Sequence, residues 1–102
     1  MAKFVVLYKG GAMAETPEAQ EASMQEWMGW FGTIGASVTD FGNPFGAATA
    51  VAPGGATSSA TTGLTGYTVL EADGLEHAAT LVAGCPVLNV GGSIEIYEAM
   101  PM

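Results

Sequence analysis

The stretch Tyr67–Pro86, YTVLEADGLEHAATLVAGCP, decides the fold because a strand in it leads directly into a helix. Tyr67–Ala72 carries aromatic, β-branched and aliphatic residues, which favour a strand. Asp73 belongs to the residue types that cap helices, and the pattern after it predicts a helix from position 74 or 75 to about position 84, before the final proline. The apolar side chains expected to face the sheet are Leu75, Ala78, Ala79 and Val82.

The first part of the chain has the same order of elements. Lys3–Lys9, KFVVLYK, predicts a strand that is apolar on both faces. Thr16 and Pro17 are a helix cap and a first helical residue, so a helix is expected from Pro17 to about Ile34. Gly35 is expected to end this helix in the left-handed conformation. Its apolar stripe is expected at Met24, Trp27, Met28, Phe31 and Ile34, with Trp30 at the edge.

Shorter segments fill the rest of the chain. Ser37–Phe41 predicts a second strand, and Gly42–Pro44 predicts a turn after it. Ala47–Ala52 predicts a weak strand, and Ala56–Gly66 is either the return arm of a hairpin or a loose loop. Gly92–Glu98 predicts the last strand. This order predicts an α+β domain of the ferredoxin-like, split βαβ plan, with an antiparallel sheet, two helices on one face and a small hairpin insertion.

Both faces of the predicted sheet carry apolar side chains, whereas two helices cover only one face. The other face would leave valine, leucine, isoleucine and tyrosine side chains in water, a larger patch than ordinary monomers expose. A second copy of the chain is the simplest cover. The sequence therefore predicts an obligate homodimer, a dimeric α+β barrel or sandwich, with an interface above the ~1,600 Å² of a standard complex.

Length and charge restrict the possible partners. The chain has 102 residues, two lysines, no arginine, ten acidic residues and a net charge of -8. A single domain spanning the whole chain is expected. Nucleic acid and anionic lipid are poor partners because both require clustered basic residues. An apolar or neutral small ligand suits the composition better.

The sequence also predicts a protein without membrane association. No apolar run approaches the ~20 residues that a helix needs to cross a bilayer. The apolar stretch Phe4–Tyr8 is shorter than the core of a signal peptide, so it is interpreted as part of a strand. A cytoplasmic location is therefore expected.

Cys85 and His77 are each the only residue of their type. An intrachain disulfide is therefore impossible, the usual zinc ligand set is missing, and no cofactor is expected. A cysteine before a proline at a helix end is typical of a small buried hydrophobe, and a nucleophilic pair of Cys85 with His77 is the less favoured alternative. His77 is expected on the solvent side of its helix, with an acid–base role as its alternative.

The chain resembles one known family along nearly its whole length. The segments that carry the resemblance are MAKFVVLYKGG from position 1, EWMGWFGTIGA from 26, VTDFGNPFG from 38 and GYTVLEADGLEHAATLVAGCPVLNVGGSIEIYEAMP from 66. They are similar to the YCII-related, or DGPF-type, domains. The resemblance implies a dimeric α+β barrel. The classical members' active-site histidine has no counterpart in the helix Pro17–Ile34, and GNPFG resembles the DGPF signature loosely, so the resemblance implies a fold more than a reaction.

Five residues are candidates for a functional site. Asp40 is expected at the end of the second strand, facing a cavity between helix and sheet, where it would act as a general base. The competing interpretation is that Asp40 caps the turn through Asn43. The candidate ligand-binding residues are Tyr8, Trp27, Trp30 and Phe41. Core packing is the competing interpretation for aromatic residues at helical spacing.

Two functions from different classes follow from these residues. The favoured prediction is a non-catalytic dimeric module that binds a small apolar or neutral ligand, because ionisable side chains are scarce. The alternative is a small isomerase or lyase in which Asp40 transfers a proton. A buried Asp40 beside Tyr8 or Trp30 would favour the enzyme, and an exposed Asp40 away from any cavity would favour the module.

Overall fold

The computed structural model describes residues 2–12 and 14–101. Within them the strands are β1 (Ala2–Lys9), β2 (Val38–Asp40), β3 (Thr49–Val51), β4 (Thr57–Ser59), β5 (Leu64–Ala72) and β6 (Ser93–Ala99), and the helices are α1 (Pro17–Ile34) and α2 (Leu75–Val82). Each helix is followed by a 3-10 turn, at Gly35–Ser37 and Pro86–Asn89.

Four strands form the main sheet in the order β2-β5-β1-β6, and every neighbouring pair is antiparallel. The α+β class and the antiparallel sheet are confirmed, and the strand order is compatible with the predicted ferredoxin-like plan. The hairpin insertion is also present, since β3 and β4 pair with each other in a separate sheet. Of the two alternatives predicted for Ala56–Gly66, the return arm of a hairpin is therefore the one observed.

The buried core lies on one face of the main sheet. Phe4 and Val6 of β1 and Leu70 of β5 are at most 1% exposed. Both helices add side chains to the same cluster, and these residues are Trp30, Ile34, Ala78 and Val82. The two helices therefore lie on one face of the sheet, as predicted.

Helix α1 has the predicted bounds, and its start has the predicted chemistry. The Thr16 hydroxyl accepts a hydrogen bond from the Ala19 backbone N–H at 3.1 Å, and Pro17 is the first helical residue. The predicted left-handed end is wrong. Gly35 has a right-handed φ of -53°, and the chain continues through a 3-10 turn in which Val38 N–H bonds the Gly35 carbonyl. This turn satisfies a terminal carbonyl without a left-handed residue.

The buried face of α1 is rotated from the predicted stripe. Met24 and Met28 are 63% and 66% exposed, whereas Trp30 and Ile34 are 7% and 6% exposed. Trp30 is thus a core residue rather than an edge residue. The rotation points Trp30 at α2, where its indole N–H donates to the Leu81 carbonyl at 3.2 Å.

Helix α2 differs from its prediction in two details. Its Ala78 and Val82 are buried as expected, but Leu75 is 53% exposed and Ala79 is also exposed. A short helix at the edge of a small domain covers the sheet with a narrow stripe, so the flanking apolar positions stay in solvent. The residue at the N-cap position is Gly74 rather than Asp73, so no side chain caps the start of the helix.

The face of the sheet opposite the helices is here called the open face. Strand alternation and register place five side chains together on it, namely Val5, Leu7, Tyr67, Val69 and Tyr97. Tyr97 is 55% exposed and the other four are partly buried. No helix of the described residues covers this face.

Candidate functional site

A cavity of about 710 Å³ lies between the N-terminal half of α1 and the sheet, at the end where β1 finishes and β5 begins. One face of α1 forms its roof, with Gln20, Ser23, Met24, Trp27 and Phe31 at helical spacing. The floor is the start of β5, and the loop at 41–44 closes one side. Because this half of α1 stands over a cavity rather than over packed side chains, Met24 stays at the rim and exposed.

Aromatic rings line much of the cavity wall. The rings of Tyr8 and Trp27 meet edge to face with their centroids 5.2 Å apart. Phe31 and Phe41 form a second edge-to-face pair at 5.1 Å, and Phe31 lies 5.9 Å from Trp27. Such pairs add roughly 0.5–1.5 kcal/mol to the stability that burial supplies. The structure therefore brings three of the four predicted ligand-binding residues, Tyr8, Trp27 and Phe41, to one apolar wall.

Hydrogen bonds fix the polar end of Tyr8 at the cavity floor. Its hydroxyl lies 2.6 Å from Oγ1 of Thr68, and this oxygen lies 2.9 Å from the Phe41 carbonyl oxygen. Thr68 is fully buried, with 0% exposure. The Tyr8 hydroxyl, the Thr68 hydroxyl and the Phe41 carbonyl therefore each have a hydrogen-bond partner, as buried polar groups require.

Gly66 lies beside this contact, where the loop after β2 approaches β5. It lies opposite Tyr8 in the β1–β5 register, and Thr68 is the diagonal neighbour. A Cβ at position 66 would lie 3.4 Å from Cδ2 of the tyrosine ring and 3.2 Å from the Asn43 carbonyl oxygen. The tighter of these approaches is to the Asn43 carbonyl, so glycine at this position chiefly lets the loop backbone come close to β5.

The cavity contains no charge at neutral pH. Among the described residues that line it, Tyr8 and Tyr67 are ionisable, the side chain of Tyr67 lying on the open face, and no acidic, basic, histidine or cysteine residue is present. Burial raises the pKa of Tyr8 to about 12, although its hydrogen bond to Thr68 works in the opposite direction. The Tyr8 phenol therefore stays protonated at pH 7, where it cannot serve as a general base.

Asp40 lies outside the cavity. Its side chain is exposed, and its Oδ1 accepts the Gly42 backbone N–H at 2.8 Å, which is ordinary turn chemistry for aspartate. The register gives the reason: Val38 pairs with Leu70 but Asp40 pairs with Val69, so the strand contains a bulge between them. One extra residue moves a side chain to the other face of a sheet. Asp40 therefore does not face the cavity as expected. Its catalytic role stays a prediction, and this geometry does not favour it.

Trp30, the fourth predicted ligand-binding residue, lies behind the cavity wall. It is 7% exposed and holds α1 against α2 through its bond to Leu81. Its ring contacts Trp27 at 5.7 Å between centroids, so it supports a wall residue without lining the cavity itself. Core packing is the interpretation that its surroundings favour.

Cys85 and His77 are not among the residues that line the cavity. Cys85 is 1% exposed, and burial raises the pKa of its thiol to about 11, so the buried-hydrophobe interpretation fits and a thiolate nucleophile does not. His77 is partly buried rather than fully on the solvent side. Its Nδ1 accepts the Asp73 backbone N–H at 3.0 Å, which places the proton of the neutral ring on Nε2.

Thr68 and Gly66 are site residues that sequence reasoning did not identify. A signal existed for Thr68, since strand alternation places it on the same face as the buried Leu70. A hydroxyl on the apolar face of a central strand needs a buried partner. That partner, Tyr8, is 60 residues away in the sequence, so only the strand pairing shows it.

Within residues 2–12 and 14–101, no group of three histidine, cysteine, aspartate or glutamate side chains is placed to hold a metal ion. The helices described here are also too short or too polar to cross a membrane. No family model, curated protein or solved structure matches the chain. The resemblance to the YCII-related family therefore stays a prediction.

Proposed function

We propose that this protein is a homodimeric, non-catalytic module that binds a small neutral ligand in the cavity beneath α1. The observation that carries the proposal is the cavity lining, which is aromatic and without charged side chains around about 710 Å³. Small-molecule sites typically measure ~300–1,000 Å³ and are mostly apolar with a few placed polar groups. A charged ligand would lose its hydration there and gain no ion pair in return.

The alternative function, a small isomerase or lyase, has less support. Such an enzyme needs a base or an acid within hydrogen-bond reach of the ligand. Asp40 is exposed and engaged with Gly42, and Tyr8 is a protonated phenol that already has a hydrogen-bond partner. The cavity therefore offers shape and a hydrogen-bonding group, without a group poised for proton abstraction.

Thermal-shift measurements with neutral and charged ring compounds test the ligand-binding part. A ligand that binds only the folded state raises the melting temperature with concentration. We expect neutral one- to three-ring compounds to stabilise the protein and their carboxylate analogues to have no effect. Stabilisation by the carboxylates alone would contradict the proposal.

A pair of variants locates the binding site. Ser23 is partly buried on the roof of the cavity, whereas its neighbour Ala22 is exposed and does not line it. Ser23→Trp places an indole in the cavity and is expected to reduce or abolish the shift, while Ala22→Trp adds the same side chain to the same helix and should preserve it. Equal shifts in both variants would place the ligand elsewhere.

The open face supports the homodimer. Its apolar centre continues onto Phe45, which is 43% exposed and stacks on Tyr67 with ring centroids 5.8 Å apart. A continuous apolar surface of this kind is typical of an interface rather than of a monomer surface. Two sheets that meet through it would form the dimeric barrel or sandwich that the YCII-related resemblance implies.

The charge distribution favours a second copy of this chain as the occupant. Lys3 and Lys9, the only basic residues, lie on the open face, where register also places Glu71 and Glu95. Strands β5, β1 and β6 thus carry balanced charges there, and Asp40 adds one negative charge on the edge strand β2. The chain as a whole has a net charge of -8. Two copies therefore repel each other least when they meet through this face.

A further inference from the structure

We propose that the cavity selects ligands that donate a hydrogen bond, such as alcohols, phenols and N–H heterocycles, over ligands of the same shape that can only accept one. The selecting group is the oxygen of Tyr8, whose own proton is committed to Thr68. This inference rests on the proposed ligand binding and names the chemical class of the ligand.

The direction of each hydrogen bond follows from a count of protons. The Phe41 carbonyl can only accept, so Thr68 donates its single hydroxyl proton to it, across 2.9 Å. The 2.6 Å contact between Tyr8 and Thr68 then leaves Tyr8 as the donor. The phenol has no second proton, so the remaining capacity of its oxygen is to accept.

The other hydroxyl on the sheet side of the cavity shows the same arrangement. Thr65 directs its proton at backbone carbonyls, with Gly10 O at 3.3 Å and Tyr8 O at 3.4 Å. On the roof, a side-chain amide proton of Gln20 goes to the Ala14 carbonyl at 3.3 Å. The protein thus uses the hydroxyl protons of the cavity floor internally and leaves oxygen lone pairs for a ligand.

Ser23 carries a hydroxyl on the roof of the cavity. It is partly buried and has no side-chain partner among the described residues. Its rotating hydroxyl can donate to a carbonyl ligand as well as accept from an alcohol. A Ser23→Ala background removes this hydroxyl, and the amides of Gln20 and Asn43, which can also donate, are the same in every protein compared.

Matched alcohol and ketone pairs provide the test, measured by calorimetry on the full chain. Suitable pairs of increasing size are menthol and menthone, 1-tetralol and 1-tetralone, and 9-fluorenol and 9-fluorenone. Within a pair the ring skeleton is constant, and only the alcohol can donate. The alcohol and the ketone of a pair differ in hydration, which affects their Kd values in every protein equally. The ratio of the two Kd values is therefore compared between the wild type and a variant, so that the hydration difference cancels.

Thr68→Val is the decisive variant. Valine matches threonine in shape but cannot accept, so the Tyr8 proton becomes available to a ligand. We expect the ketone to bind about fivefold more tightly in Thr68→Val than in the wild type, the effect of one added neutral hydrogen bond, with little change for the alcohol. Thr68→Ser keeps the hydroxyl and should keep the wild-type Kd ratio.

The outcomes separate this inference from the function on which it rests. A Kd ratio that Thr68→Val leaves unchanged, or shifts towards the alcohol, would overturn the donor selection while ligand binding itself stands. Failure of every alcohol, ketone and parent hydrocarbon to bind the wild type would overturn the proposed function and this inference together. Circular dichroism of each variant confirms that the fold is retained.

Discussion

Trp27 and Trp30 are three residues apart on α1 and have different surroundings. Trp30 is 7% exposed and its indole N–H bonds the Leu81 carbonyl, so it packs within the core shared by both helices. Trp27 is partly buried, and one side of its ring faces the cavity. The central core position that helical spacing predicts for Trp27 thus belongs to Trp30.

Trp30→Ala is expected to destabilise the protein by roughly 3–5 kcal/mol, the range for a large core truncation. Trp27→Ala should cost roughly half as much or less, because truncation beside an existing cavity removes fewer packing contacts. Urea denaturation of both variants gives the two free energies of unfolding. An equal or larger cost at Trp27 would show that the cavity is filled by packed side chains.

Burial of Tyr8 and Cys85 makes the fold sensitive to alkali. Burial raises the pKa of Cys85 to about 11 from 9.0, and that of Tyr8 to about 12 from 10.0. In both cases the unfolded chain loses its proton at lower pH than the folded chain, so unfolding is favoured as pH rises. Their contributions to stability are complete below about pH 9 for Cys85 and about pH 10 for Tyr8.

The free energy of unfolding should therefore decline from about pH 9 and more steeply between pH 10 and 12. Tyr8→Phe should remove the Tyr8 part of this decline, and Cys85→Ala the earlier part. Denaturation curves from pH 7 to 12 measure these slopes. The same slope above pH 10 in wild type and Tyr8→Phe would exclude a buried, protonated Tyr8.

At the scale of elements, the corner after β2 positions one wall of the cavity. Gly42 has a φ of +77°, and a Cβ there would lie 1.7 Å from the Tyr67 carbonyl oxygen, so only glycine fits. This close approach presses the loop against β5, where Phe45 N–H bonds the Thr65 carbonyl at 2.9 Å. The sequence VTDFGNPFG is thus a structured corner that supports a site without supplying a charged group to it.

Gly42→Ala should destabilise the protein by at least about 2 kcal/mol, since it combines a left-handed backbone with a backbone clash. Asp40→Asn should cost under about 1 kcal/mol, because asparagine can also accept the turn hydrogen bond. Gly46→Ala is the matched control, since nothing lies near its Cβ and its φ is not positive. Chemical denaturation of the three variants compares them. A mild effect of Gly42→Ala would show that the corner can move away from β5.

At the scale of the whole molecule, the chain is broad and flat. Its extents are 44 × 40 × 19 Å and its radius of gyration is 15.0 Å, above the ~13 Å of a compact domain of about 100 residues. The β3–β4 hairpin, which forms its own sheet, accounts for part of this spread. One sheet with helices on a single side leaves the open face as the broad uncovered surface.

Val5→Lys should convert the proposed dimer into a monomer, because it places a desolvated charge at the centre of the open face. Val51→Lys is the matched control, since Val51 is 66% exposed and lies in the separate β3–β4 sheet. Sedimentation velocity at micromolar concentration measures both. The wild type and Val51→Lys are expected to sediment as dimers, and a monomeric wild type would contradict the interface proposal.

Much of the element order could be predicted because it depends on local chemistry. The Thr16–Pro17 start of α1 and the alternation of β1 involve residues close in sequence, and both were predicted correctly. The β2 bulge could not be predicted, since it depends on how the strand meets β5. That single shift decides on which face Asp40 lies.

The sequence by itself determined the α+β class, the bounds of α1, the apolar character of both sheet faces and the shortage of charged groups for catalysis. These properties follow from periodicity and composition, which need no knowledge of distant contacts. Only the tertiary structure decided that the hydroxyls of Tyr8 and Thr68 bond each other, that Trp30 rather than Trp27 lies in the core, and that Asp40 is outside the cavity. Each of these depends on strand register or helix rotation, because a shift of one residue moves a side chain to another face.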